Sequence, residues 1–442
     1  MAYKGIEYLK ALLKDKQTRV DTCYKYYNQK DEMDNSQAIT ENKQMQNITK
    51  KVGWIPKAVD SLANRLQFSS FGHDDELLVN DIFVRNNRDV LFKTMFKGAI
   101  ISSCDFVYIS KNTDGTARLQ VIDGYNATGI IDTSTMLLTE GYAVLERDSY
   151  TGLPSLEAYF TKGKTEYFSD QDYSEPIEEI TNVLDYPLLV PVIYNPDATR
   201  PFGRSLISDS LMKYVDDAKE TLRLMSVSAQ FYSFPQKWVT GLDNKIEHFD
   251  KWKMVMSAMM AFARDEDGNV PTVGQFQQQS MSPYNDQLKT LASMFSGETG
   301  LTLDDLGFTT SNPSSAEAIK ATHESLRLMA RSAQETFEVG IINVAFLAKS
   351  LESNFQFKRS QFAKLKIRWK PVFEIDATML SGIGDGVIKI NQSVDGYFDK
   401  ESLEDLTGIE ASVDDEPVYN RVFNSSDNDT GQSDDEDGAV NE

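Results

Sequence analysis

The side chains best suited to chemistry are sparse and badly spaced for it: His73, His248 and His323, Cys23 and Cys104, and acidic pairs such as Asp216-Asp217 and Asp304-Asp305. A zinc site needs imidazoles or thiols in close company, and these histidines stand 75 residues or more apart with no such neighbour. Two cysteines outside any spaced cluster suit a reducing cytoplasm. An ATP-driven motor would need Gly-x-x-x-x-Gly-Lys-Ser/Thr, whose consecutive amides cradle phosphate, and no segment supplies it. Gly382-Ile383-Gly384-Asp385-Gly386 lacks dinucleotide spacing and reads as a flexible turn. Asp265-Glu266-Asp267-Gly268 places its glycine too early for a calcium loop and reads as a polar turn. No Gly-x-Ser-x-Gly elbow occurs. The expectation is a protein without catalytic residues, cofactor or metal, and not an enzyme.

Charge points the same way. Asp plus Glu number 67 against 45 Lys plus Arg, a formal net charge of -22 over 442 residues, which disfavours tight wrapping of nucleic acid. Residues 412–442 carry ten acidic groups against Arg421 alone and are expected to be disordered, because they cannot bury enough apolar surface to offset the entropy of ordering. The hydrophobic content of 40% is enough for two or three cooperating domains. No apolar signal core and no stretch approaching about 18 apolar residues occurs, so neither secretion nor membrane insertion is expected.

The elements that would position any site follow from periodicity. Residues 1–30 read as a helix and 31–52 as a polar, Gln- and Asn-rich connector. Apolar positions recur at helical spacing from Trp54 to Phe71 and from Leu77 to Ile101. Between Asp105 and Pro191 the period changes to two: Phe106–Ile109 and Leu119–Ile122 flank a turn at Asn112–Gly115, and Tyr142–Glu146, Leu156–Thr161 and Leu188–Ile193 are further strands. Residues 203–233 read as an amphipathic helix of about 45 Å. A second long helix should open at Ser314, with Glu317 completing a capping box, and carry its stripe through Ile319, His323, Leu326, Ala330, Ala333, Phe337, Ile341, Val344 and Ala348. Leu365–Trp369 alternates like a returning strand, and 383–408 read as short helices around Gly396-Tyr397-Phe398. The fold class is α+β with an antiparallel sheet.

Several segments, in order, resemble the portal proteins of tailed bacteriophages, the type found in phages of Gram-positive bacteria. Tyr26-Tyr27, Val59–Leu66 before Phe71, and Lys97-Gly98-Ala99 are weak singly. Stronger is Pro191–Tyr194 followed by Asn195-Pro196 and then Phe202-Gly203-Arg204-Ser205 at the head of the first long helix, with Pro235-Gln236-Lys237-Trp238-Val239-Thr240-Gly241 after it. The most specific is Leu306-Gly307 followed by Asn312-Pro313-Ser314-Ser315-Ala316-Glu317.

That resemblance implies a head-to-tail connector: a homo-oligomeric ring of about twelve subunits at one capsid vertex, built from heterologous contacts. It divides the chain into N-terminal helices and an α+β wing (1–202), a stem helix (203–233), a clip region (234–283), a returning stem helix (284–298), a candidate tunnel loop (299–315), a long helix (316–362), a returning wing strand (363–380), a helical crown (381–411) and the acidic tail (412–442). Implied partners are double-stranded DNA in the channel, the terminase large subunit, the major capsid and scaffolding proteins and a head-tail adaptor, with no membrane. Assembly would take place in the host cytoplasm, with the finished ring in the virion. Lys245, Lys251, Lys253 and Arg264 are candidates for weak contacts to DNA. Two alternatives stay open here, a packaging nuclease acting on DNA and a non-viral oligomeric scaffold.

Overall fold

The computed structural model describes residues 3–31, 50–169, 175–233, 237–240, 272–275, 280–308, 321–372 and 377–409. It is a mixed helix and sheet structure that divides into two compact units, Met1–Arg368 and Trp369–Glu442.

The first unit is organised on β2 (Cys104–Lys111), which pairs antiparallel with β3 (Ala117–Ile122) on one side and β9 (Leu189–Ile193) on the other. The hairpin expected there forms, with Phe106 facing Ile122 and Ile109 facing Leu119. From Cys104 to Ile109 the strand is buried at every position, because both faces are covered. Asp105 meets α4 (Arg88–Ser102) at Gly98, while Tyr108 meets the second sheet, its hydroxyl 2.6 Å from that of Tyr167. That second sheet has the order β4 (Ala127–Asp132), β5 (Leu137–Arg147), β6 (Pro154–Thr161), β7 (Lys164–Ser169) and β8 (Glu178–Thr181), antiparallel throughout. It is an excursion between β3 and β9: Ile122, where it leaves, and Pro191, where the chain has returned, both sit opposite Phe106.

Helix α1 (Ile6–Tyr27) lies on this second sheet, burying Leu9 and Leu13 against Tyr142, Val144, Tyr159 and Phe168. Its start is fixed by a buried carboxylate: Glu140 accepts the N–H groups of Lys4 at 2.8 Å and Gly5 at 3.2 Å, and the Tyr159 hydroxyl at 2.9 Å. A carboxylate there serves both unpaired amides and the positive end of the helix dipole.

Helix α7 (Glu324–Glu352) crosses β9, β2 and β3. Of its predicted stripe, Leu326, Ala330, Ala333, Phe337, Ile341, Val344 and Ala348 are in the core, His323 is half-buried just before the helix, and Ile319 lies outside the described residues. Phe337 stacks on Phe96 of α4 with ring centroids 4.8 Å apart. Gly340 lets the helix approach β9, where a Cβ would stand 3.1 Å from the Pro191 carbonyl oxygen.

Several boundaries differ from the sequence expectation. The helix expected from Trp54 to Phe71 is α2 (Trp54–Ala63), and Phe68–Gly72 is instead strand β1. Phe68 and Phe71 are drawn into an aromatic cluster with Phe83 and Phe92, the Phe68 and Phe92 rings stacked at 4.1 Å, and β1 pairs with β12 (Lys366–Trp369). The run from Leu77 to Ile101 is two helices, α3 (Val79–Arg85) and α4, broken where Asn86 donates to the carbonyls of Ile82 and Ala117 and accepts from the Leu119 amide, with Asn87 at φ 53°. The helix expected over 316–362 ends at Glu352, followed by Asn354 at φ 47° and the short α8 (Arg359–Phe362). Of the returning strand expected over 363–380, Lys366–Trp369 is the strand found among the described residues, and Ala377 already opens a helix.

In the second unit the described elements are α9 (Ala377–Ser393) and α10 (Lys400–Thr407). The glycine cluster expected as a turn, Gly382 to Gly386, lies inside α9. Three glycines cost about 1 kcal/mol each in a helix interior, and the apolar positions Met379, Leu380, Ile383, Val387 and Ile390 keep helical spacing through them. Asn391 closes the connection by exchanging two 2.8 Å hydrogen bonds with the backbone of Phe398, and Asp399 caps α10 through the Ser402 amide.

Candidate functional site: an anchored helix pair

The motif Asn195-Pro196…Gly203-Arg204-Ser205 comes together as the anchorage of a helix pair. Asn195 takes φ 50°, which asparagine tolerates, and Asp197 closes the turn by accepting the amides of Thr199 and Arg200 at 2.8 Å each. The Arg204 guanidinium returns to the same carboxylate, its Nε 2.8 Å from Oδ2. Thr199 and Arg204 together hold the Asp197 carboxyl well below the usual carboxylate range. Gly203 has φ 75°, and a Cβ there would lie 2.0 Å from the Tyr194 carbonyl oxygen. That oxygen receives the Arg204 amide at 3.1 Å, so only glycine fits the crossing.

Ser205 and Leu206 then bind the end of α4. The Ser205 hydroxyl donates to the Ile101 carbonyl at 2.6 Å, and the Leu206 amide donates to the Ile100 carbonyl at 3.0 Å. These are last-turn carbonyls, which a helix leaves without internal partners. Arg19 of α1 donates to the Ile207 carbonyl at 3.0 Å and also pairs with Asp209. Because residues 203–208 are spent on these bonds, the long helix starts later than expected: α5 runs Asp209–Ser233, about 37 Å, with the Ser208 hydroxyl accepting the Leu211 amide.

Helix α6 (Ser282–Thr299) packs antiparallel on α5. Ser228 and Tyr284 meet hydroxyl to hydroxyl at 2.8 Å towards one end, and the Tyr214 hydroxyl donates to Glu298 at 3.1 Å towards the other. Leu211, Val215 and Ala218 are buried on α5, as are Leu288, Ala292 and Phe295 on α6. Charge is buried as well. Lys219 is 2% exposed, bonds Asp31, stands 3.4 Å from Asp216 and lies over the Tyr26 ring, whose hydroxyl donates to Asp216 at 2.6 Å. Burial outweighs those carboxylates and draws the Lys219 ammonium down to about 8. Arg223, 1% exposed, is held by Glu220 with Nε 2.7 Å from the carboxylate.

Beyond α5 in the chain, β10 (Lys237–Thr240) pairs with β11 (Thr272–Gln275), and Trp238 lies across Gly274, where a Cβ would be 2.3 Å from the indole. After α6, Gly300 at φ 68° and Gly307 at φ 94° turn the chain, and Asp305 accepts from Thr302 and stands 3.7 Å from His323 at the foot of α7. Pro235, Gln236, Gly241, Asn312, Pro313, Ser314, Ser315, Ala316 and Glu317, with Lys245, Lys251, Lys253, Arg264 and the acidic turn at Asp265, lie outside the described residues. So do most of the 31–52 connector and the tail from 410 onward.

Sequence reasoning named Tyr26 without the contact it makes and did not single out Asp197, Gly274 or Lys219. Asn195-Pro196-Asp197-Ala198-Thr199 carries a turn signature that could have exposed Asp197. The others depend on contacts across 36 to 193 residues of chain and leave no local signal. Among the described residues no group of three or more His, Cys, Asp or Glu is placed to share a metal ion, and no helix is long and apolar enough to cross a membrane.

A mixed helix and sheet body from which a bonded turn launches an antiparallel helix pair is the framework of a structural subunit. Residues 6–380 match the family described as phage portal protein, SPP1 Gp6-like, and the chain belongs to that family. Portal proteins are structural channel proteins and not enzymes. The chain is 28% identical over 147 residues to the portal protein of Mycobacterium phage L5 and 28% identical over 146 residues to that of Mycobacterium phage D29. Each match spans 31% of this chain and only 29% of the relative's length. Among solved structures, a chain from the virion of a native gene transfer agent particle aligns with TM-score 0.43 and 12% identity over 81% of this chain and 90% of its own. A chain from the C12-symmetric neck of the native particle aligns with TM-score 0.42 and 11% identity over the same shares.

Proposed function

We propose that this chain is one subunit of a closed ring at a single capsid vertex, whose central channel passes double-stranded DNA during packaging and ejection. Family membership across residues 6–380 is the observation that carries this reading. Under it, α5 and α6 form the stem, the paired strands β10 and β11 belong to the clip, residues 299–315 form the tunnel loop and residues 381–411 the crown. The helix pair supports the assignment because its base is tied to α1, α4 and β9 at once, so load on the stem reaches the body through many short bonds.

A translocating duplex must not be held. Clustered cations would neutralise phosphates and bind DNA in a salt-dependent way, whereas a subunit with net charge -22 lets the duplex slide. Lys245, Lys251, Lys253 and Arg264 would then give weak, transient contacts. Neutralising all four should slow packaging or loosen DNA retention, and an unchanged rate and retention would remove that role. The terminase large subunit would dock at the clip, a head-tail adaptor at the same end, and the major capsid and scaffolding proteins around the wing, with assembly in the host cytoplasm.

The test is imaging of the purified full chain with symmetry analysis. Hollow rings of about twelve or thirteen copies are expected. A chain that stays monomeric at every concentration, in a phage whose heads fill normally without it, overturns the reading.

A further inference from the structure

Between α1, α4 and the β2–β3 hairpin the first unit holds a pocket of about 430 Å³, within the size range of small-ligand sites. Tyr24 and Tyr27 form one wall and Lys93, Lys97 and Gly98 the other, with Asp105 at the floor. Asp105 is 1% exposed. Its Oδ1 takes both of its hydrogen bonds, from the Ser102 hydroxyl at 2.9 Å and the Gly124 amide at 3.0 Å. Its Oδ2 takes neither and is turned to Gly98, where a Cβ would come within 1.8 Å of it. The Asp105 side chain is buried as a whole, and this second oxygen, given no donor by the fold, is left to take one from a group seated in the cavity.

The geometry points to a binding site for an organic cation, an alkylammonium or guanidinium group, seated beside Tyr24 with Asp105 as its counter-ion. The charges nearest the floor of the pocket favour that sign. Lys97 is already neutralised by Asp60 at 2.8 Å. Once Asp105 is ionised, its carboxylate and that of Asp123 face one resident cation, Lys16, which leaves a negative charge in excess over these three groups. Asp123 spends its own oxygens on the amides of Tyr125 and Asn126 and the Asn126 side chain. Lys93, exposed at the rim, is the one of these charges that opposes a cation. Burial, helped by the two carboxylates, raises the Tyr24 hydroxyl and keeps it a neutral aromatic wall. With the pocket empty, burial also lifts Asp105 to about 7, so a bound cation would draw off its proton.

The same chemistry has two sources, a free amine or a lysine or arginine side chain of a second copy. The probe is n-butylammonium chloride, titrated by calorimetry into the full chain at pH 7 and low salt against sodium chloride at matched strength. Saturable binding with proton release is expected, about tenfold weaker and without proton release in Asp105→Asn, which still accepts from Ser102 and Gly124. Lys93→Glu, at an exposed position that leaves folding intact, should tighten binding about threefold. No saturable binding, binding indifferent to Asp105→Asn, or weakening by Lys93→Glu overturns the proposal, the last because it marks an anion site. If Asp105→Asn does not fold, the direction of the Lys93→Glu effect decides. Equal binding by monomer and ring fractions identifies a free amine, and binding by the monomer alone identifies the neighbour's side chain. The monomer titration stands even if no ring forms.

Discussion

Helices α7 and α9 carry the same kind of apolar stripe and meet opposite fates. On α7 the stripe is covered by β9, β2 and β3 within the subunit, down to 0% exposure at Phe337 and Ile341. On α9, Leu380 is 42% exposed and Ile390 41%. Periodicity reports that a face wants cover and says nothing about who supplies it. Under the proposed ring, one stripe is answered inside the chain while the other would meet a neighbouring copy, and the two should respond differently to substitution.

The largest effect expected is at the covered stripe. Phe337→Ala removes a ring stacked on Phe96 and should cost about 3 to 5 kcal/mol, read as a lowered urea midpoint. A cost below about 1 kcal/mol would mean that α7 is less embedded than its contacts indicate.

Next comes a pH effect in the same body. Asp105 titrates at about 7 in the folded chain against an ordinary 3.8, so the folded state holds the extra proton between those values. Stability contributed by this group is therefore present at low pH and lost as pH rises from about 4 to about 7, by on the order of 2 to 4 kcal/mol. Asp105→Asn should lack that slope, and urea midpoints at pH 5 and pH 7.5 that shift equally in both proteins would contradict it. Smaller again is Glu140→Gln, which weakens the clamp on the start of α1 and should cost about 1 to 3 kcal/mol, visible as faster amide exchange over residues 4–10. Exchange unchanged there would show that the apolar seat of Leu9 and Leu13 suffices.

The smallest stability effect belongs to the open stripe. Ile390→Ser on α9 should stay within about 0.5 kcal/mol of the parent yet reduce the yield of rings. A large loss of stability in the monomer would erase the contrast between the two helices.

Legibility in the sequence follows the same divide. Most of the α7 stripe and the β2–β3 hairpin could be read because period and partner lie within the subunit and, for the hairpin, close in sequence. Strand β1 could not: Phe68 and Phe71 fit a helical spacing, and only the rings of Phe83 and Phe92 and a partner strand almost 300 residues away, Lys366–Trp369, make them extended. The glycines of α9 read as a turn because local propensity is a weak prior against a persistent apolar face. At the helix-pair anchor, Gly203, Arg204 and Ser205 were legible as a motif, but not what they hold, since the Ile100 and Ile101 carbonyls lie a hundred residues upstream. The pairing of Gly98 with Asp105 spans only seven positions, yet it needs α4 folded back onto β2 before the fit exists.

The chain that builds the five-stranded sheet departs and comes home at a single rung, with Ile122 and Pro191 flanking Phe106 about 10 Å apart. Everything threaded between those two points can grow, shrink or be exchanged without re-weaving the central strand, provided that whatever replaces it still offers α1 a place to rest. Length variation among natural versions of this subunit should therefore gather between Asp123 and Leu188, leaving the three central strands as the invariant chassis.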